Sequence, residues 1–114
     1  MKYITHNEDE VSINGTCGRG SIKCDYETLV KTFGAPSKYF DDYKSDAEWD
    51  LFFDNGDIVT IYNWKNGINY CGEEDGTPTR FITDWNVGGN TDHAVRYVKE
   101  CLEGIHHRAI TLTV

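Results

Sequence analysis

The sequence predicts an α+β fold, a two-layer sandwich in which two helices pack on an antiparallel sheet. Three observations carry this reading. Two segments place apolar residues at helical spacing, and two runs with a period of two flank a tight-turn tetrapeptide. The length of 114 residues suits a single domain with one core, spanning 1–114.

Residues 1–10 are polar and acidic and read as an N-terminal segment. Val11 and Ile13 then alternate with polar residues, and Ser21 to Cys24 is also extended in character, which suggests a β-hairpin or two edge strands. Asp25 precedes Tyr26, Leu29, Val30 and Phe33, spaced i, i+3, i+4 and i+7, with Gly34 at the end and Pro36 beyond. Cap, stripe and stop together delimit a helix.

Ser37 to Asp46 is polar and reads as a connection. Ala47, Trp49, Leu51 and Phe53 alternate with other residues, as do Ile58, Thr60, Tyr62 and Trp64, and Asp54-Asn55-Gly56-Asp57 between them supplies turn residues that tolerate positive φ. That pattern is an antiparallel hairpin. Residues 66–80, rich in Gly, Asn, Glu and Thr, read as a long loop. Phe81 to Val87 looks extended, and Gly88-Gly89-Asn90-Thr91 leads into a second helix with Ala94, Val95, Val98, Cys101, Leu102 and Ile105 on one face. The 106–114 tail alternates Ile110, Leu112 and Val114 with threonines, as an edge strand would.

Nineteen acids against eleven bases give a net charge of −8, which disfavours direct binding to DNA or an anionic membrane surface. No apolar run approaches the roughly 20 residues of a membrane span, so the expected location is the cytoplasm. Cys17, Cys24, Cys71 and Cys101 include no C-x-x-C pair and read as thiols; no metal site and no cofactor is expected. His6, His93, His106 and His107 have no nucleophile or ligand at a motif spacing. No catalytic set emerges, and the chain reads as a binding protein rather than an enzyme.

The candidate ligand-binding residues surround the glycine pair. A strand running through Gly88 and Gly89 into a helix offers backbone N–H groups and a positive dipole end to a phosphate, with Asn90, Thr91 and His93 alongside. The commoner role of such residues is a sharp turn with Asn90 or Thr91 as the helix cap. Arg19, between two glycines, suits a phosphate or carboxylate, although such a loop also serves as a plain turn. Trp64 with Lys65, and Trp85, suit stacking on a base; Trp49 and Tyr62 fit an apolar strand face. Asp41, Asp42, Asp46, Glu48, Asp50, Asp54 and Asp57 concentrate negative charge on a loop and the outward side of the hairpin, either a solvated face or a nucleic-acid mimic.

With Tyr26, Leu29, Phe33-Gly34 and Pro36, then Trp49, Gly56 and Tyr62-Asn63-Trp64-Lys65, then Trp85, Gly88-Gly89 and Ala94, the chain resembles a group of small proteins encoded by bacteriophages and prophages. The match runs over about residues 21–102. The resemblance implies a host-cytoplasm setting and a role in countering bacterial immunity, by sequestering a nucleotide-type signal. The alternative it implies is an acidic protein–protein inhibitor of a host defence nuclease or polymerase. A homo-oligomer, paired through the tail strand, fits either role.

Overall fold

Helix α1 (Tyr26–Phe33) starts where the sequence sets its cap. The Asp25 carboxylate accepts a hydrogen bond from the Thr28 N–H at 3.0 Å, and Gly34, at φ 84°, closes the last turn through its own N–H to the Val30 carbonyl. The computed structural model describes residues 1–37 and 43–109. Within them, strands β1 (Lys2–Thr5), β2 (Cys17–Lys23), β3 (Glu48–Phe53), β4 (Ile58–Tyr62), β5 (Asp84–Gly89) and β6 (His107–Arg108) form one six-stranded sheet in the order β2-β5-β4-β3-β1-β6. Two further helical segments are α2 (Ile68–Asp75), which is broken at Gly72 where φ is 86°, and α3 (Ala94–Leu102), and a 3-10 turn spans Thr79–Phe81. The fold is therefore α+β with a mixed sheet.

The mixture corrects the expected all-antiparallel sheet. β6 runs parallel to β1, with Lys2 opposite His107 and Tyr3 opposite Arg108, because the chain crosses back over α3 to reach the far edge. The other pairings are antiparallel. β1 corrects the polar N-terminal segment: Tyr3 and Thr5 turn inward against β3, and Lys2 stays outside. Val11 and Ile13 form no strand, and β2 begins at Cys17 instead. The tail contributes its edge strand at His107–Arg108, extended by the Ala109 N–H to the Tyr3 carbonyl at 2.7 Å. Ile110, Leu112 and Val114 lie outside the described residues.

The expected hairpin is present as β3 and β4, in register from Glu48 opposite Tyr62 to Phe52 opposite Ile58. Trp49, Leu51 and Phe53 lie on one face as expected, but in β4 the inward residues are Val59 and Ile61, joined by Trp85 and Val87 of β5. The expected series Ile58, Thr60 and Tyr62 takes the opposite face, because the register of the turn shifts the phase by one residue. Leu29 and Phe33 of α1 and Tyr97, Val98 and Cys101 of α3 cover that face. Trp49 and Trp85 meet edge to face at 5.4 Å with Tyr26 beside both, and each indole N–H donates to a backbone carbonyl at an end of α1, Trp49 to Gly34 and Trp85 to Cys24, both at 2.9 Å. Burial deprives no indole of its partner. In the same core, burial pushes the Cys101 thiol up to about 12, so it stays protonated.

Helix α3 lies close to the sheet because two positions under it carry no side chain. A Cβ on Gly89 would stand 2.7 Å from the Ala94 Cβ and 3.0 Å from the Ile58 carbonyl oxygen, and one on Gly20 would stand 2.8 Å from Val95 Cγ2. Among the described residues no helix is long and apolar enough to cross a membrane. Since φ at Gly89 is not positive, its requirement is steric, and Gly89→Ala is expected to lower stability by about 1–3 kcal/mol in urea unfolding, the usual range for an overpacked core position.

Candidate functional site

The residues expected to form one phosphate site do not converge. Gly88 and Gly89 lie inside β5, paired with β2 on one side and β4 on the other, so they form no free turn at the helix start. Asn90 prolongs the ladder: its N–H donates to the Ile58 carbonyl at 3.2 Å, and its side-chain oxygen accepts from the Ile58 N–H at 2.9 Å. Arg19 donates to the Gly89 carbonyl and pairs with Asp92, both at 3.0 Å. An anion does sit before α3, and it belongs to the chain. The Asp57 carboxylate takes hydrogen bonds from Thr91 Oγ1 at 3.2 Å and His93 Nδ1 at 3.0 Å. Asp57 comes from the β3–β4 turn, so this contact ties the hairpin to the helix.

Trp85 is 0% exposed and is core, unable to stack on a ligand. The signal was available, since Trp85 and Val87 alternate with Asp84 and Asn86. The acidic surface also changes. Asp50 and Asp57 are buried, Asp46 is hydrogen-bonded inside the fold, and Asp54 is exposed; Asp41 and Asp42 lie outside the described residues. Glu73, Glu74 and Asp75 face water on α2.

Trp64 and Lys65 lead to a different site, built on Asn63. This side chain is 0% exposed. Its oxygen accepts from the Asp46 and Ala47 N–H groups at 2.7 and 3.1 Å, and its amide donates to Asp46 Oδ1 at 2.8 Å and Asn66 Oδ1 at 3.1 Å. The other Asp46 oxygen accepts from the Asn69 N–H at 3.1 Å in the first turn of α2. This carboxylate explains why the expected loop over 66–80 contains a helix: its N-terminus is held by a residue twenty-odd positions away, with no apolar stripe to announce it. Gly67 is required there, since a Cβ would overlap Asp46 Oδ1.

The network brings Lys44, Trp64, Lys65 and Tyr70 together. Lys65 has φ 59°, the one non-glycine residue with positive φ among the described residues, and is fixed by its N–H to the Lys44 carbonyl at 2.8 Å. The Lys44 and Lys65 ammonium groups stand 5.1 and 5.8 Å from the Trp64 ring centre, and Lys65 also stands 5.4 Å from that of Tyr70. Tyr43 meets Tyr70 edge to face at 5.7 Å. The Trp64 ring is 42% exposed.

Beside Trp64 lies a cavity of about 200 Å³ on the sheet face turned away from α1 and α3. Thr60 and Gly88 form its floor, Tyr62, Trp64 and Glu48 one side, Ile13 and Thr16 another. Gly88 and Trp64 are thus the two expected site residues that share a cavity, and the absence of a Gly88 side chain deepens it, since a Cβ would come within 2.6 Å of Thr60 Oγ1. A second cavity, of about 670 Å³, opens around His6, Pro36 and Asp50. Sequence reasoning missed Lys44 and the cavity walls because each depends on the backbone path between distant segments. Among the described residues no group of three or more His, Cys, Asp or Glu side chains is arranged to hold a metal ion.

Two outcomes follow from these contacts. Asn63→Ala leaves the buried Asp46 and Ala47 amides without an acceptor and is expected to lower stability by about 2–4 kcal/mol in urea unfolding. For Asp57, burial opposes the charge, but the hydrogen bonds from His93 and Thr91 outweigh it and hold the carboxyl below its usual range. A carboxyl lowered in the folded state adds stability above its unfolded value of about 3.9 and loses it as pH falls through the folded value. Asp57→Asn should therefore be less stable than wild type at pH 7, and the gap in thermal melts should close as pH drops below about 4. No protein-family model matches this chain, and no curated protein matches it.

Proposed function

We propose that this chain is a non-catalytic binding protein that sequesters a small nucleotide-type molecule, and that it serves as a phage anti-defence protein by withholding an immune signal in the host cytoplasm. The observation that carries the reading is the half-exposed Trp64 ring with the Lys44 and Lys65 ammonium groups at its face, beside a cavity. A base stacks on the indole, and its phosphates lie outward on the lysines. The cavity, at about 200 Å³, is smaller than the roughly 300 Å³ at which whole-ligand pockets begin, which suits a base inside and charged groups outside. In this reading α1 and α3 form the second layer of a sandwich, and the opposite sheet face binds.

The backbone at Lys65 supports the same assignment. A left-handed lysine costs roughly 1 kcal/mol relative to a glycine there, and strain of this kind collects where a side chain must be aimed. The acidic-inhibitor alternative draws support only from exposed Asp54 among the hairpin acids that are turned to solvent.

The test is ligand depletion. Protein incubated with cyclic dinucleotides and with ADP-ribose-derived signals should remove one of them from solution and, on heating, return it unchanged. Recovery of an altered molecule would make the chain an enzyme, and depletion of none would remove the nucleotide reading. Stacking is worth about 1–3 kcal/mol, so Trp64→Ala should weaken binding by roughly 5- to 150-fold. Lys65→Gly separates function from folding: it should weaken binding while leaving thermal stability equal to or above wild type.

A further inference from the structure

Asp50 alternates with Trp49 and Leu51 on β3 and so faces away from the helices, where an aspartate is expected to meet water. It is only 5% exposed. The chain before β2 and the segment after α1 wall it in, and it lines the cavity of about 670 Å³ with His6, Glu10, Val11, Ile13 and Pro36. That volume falls within the roughly 300–1,000 Å³ of small-molecule sites. Asp50 Oδ1 has no hydrogen-bond partner among the described residues. A buried carboxyl oxygen without a donor is rare in a native fold and points to one supplied from outside.

The surroundings set the chemistry of that donor. Glu48 hydrogen-bonds to Asp50, and burial raises the Asp50 pKa despite this contact and the nearby His6. His6 has both nitrogens occupied: Nδ1 accepts from the Asp50 N–H at 3.3 Å, and Nε2 pairs with the Ala35 carbonyl at 2.8 Å. Both imidazole nitrogens are thus engaged by the backbone, and neither donates to Asp50 Oδ1. No lysine or arginine is among the described residues lining the cavity, whereas Glu10 adds another carboxyl and Val11, Ile13 and Pro36 supply apolar wall. We propose that this cavity is a second binding site, for a small protonated alkylamine whose ammonium group donates to Asp50 and whose hydrocarbon part lies against Val11, Ile13 and Pro36.

The two cavities share Ile13, but this proposal does not rest on the Trp64 reading, because its probe has neither a base nor a phosphate. Titration of full-length protein with n-butylammonium, followed by amide NMR, should give saturable shifts centred on His6, Ala35 and Asp50, with n-butanol and n-butyrate binding at least tenfold more weakly. Binding favours the Asp50 carboxylate, so affinity should fall as pH is lowered through the Asp50 titration, which burial moves upward. Asp50→Asn keeps the shape and should lose at least tenfold in affinity for the amine. If that variant does not fold, Ala35→Leu, which narrows the cavity and leaves Asp50 intact, should give the same loss. Equal binding of butanol and butylammonium, shifts spread over exposed acids elsewhere, or undiminished affinity in the folded variant would overturn the proposal.

Discussion

Asn63 holds the segments around Trp64 in place. Its amide group is buried where β4 ends, and its hydrogen bonds reach the residues that lead into β3, Asp46 and Ala47, and the segment after it, through Asn66. Asparagine suits the position because it presents an acceptor on one side and two donors on the other, which neither aspartate nor leucine of similar volume does. Asp46, fixed by this contact, then secures the first turn of α2. The Lys44, Trp64, Lys65 and Tyr70 side chains are carried on the segments that these bonds join. Their geometry is inherited from a polar network, and such networks hold a unique arrangement only when every member is satisfied.

The same economy governs the acidic residues. A chain with a net charge of −8 would be expected to display its carboxylates, yet several are structural connectors. Asp57 occupies the start of α3, where a helix favours negative charge, and Asp25 caps α1. Glu8 is joined to Arg108 and Thr5, which fastens the N-terminal strand to the last one; burial there opposes the charge, and the arginine and threonine bonds more than reverse it. Asp50 differs from all of these, since its neighbours are another carboxyl and an imidazole whose two nitrogens are already engaged by the backbone.

What was legible in the sequence was what local chemistry decides. The Asp25 cap with its stripe gives α1, and a period of two around Asn55-Gly56 gives the β3–β4 hairpin, since each needs only neighbouring residues. β1 was hidden because four residues carry little pattern, and Tyr3 and Thr5 are buried by partners distant in sequence, Phe53 and Leu51 of β3 and, for Tyr3, Phe33 of α1. α2 was hidden because Asp46, not its own residues, stabilises it. At the site, Trp64 and Lys65 were visible as neighbours in sequence, but Lys44 joins them through a left-handed backbone that no lysine advertises. The glycine pair misled for a physical reason. Gly88 and Gly89 serve close approach on the two faces of a strand, a cavity floor on one and α3 on the other, and the sequence of a strand glycine is the same as that of a turn.

The manner in which Lys44 and Lys65 are held bears on what they can bind. Arg19 and Arg108 each face a carboxylate, so an incoming anion would have to displace an internal partner of equal charge. Lys44 and Lys65 have no carboxylate partner among the described residues and rest on aromatic rings. A ring attracts an ammonium through its quadrupole and does not neutralise it, so the charge remains available to a ligand. In a strongly acidic molecule this is the arrangement that keeps a cation both positioned and unspent. The indole that orders the ammonium groups is itself 42% exposed, so ring and cations share one solvent-facing surface of an acidic molecule.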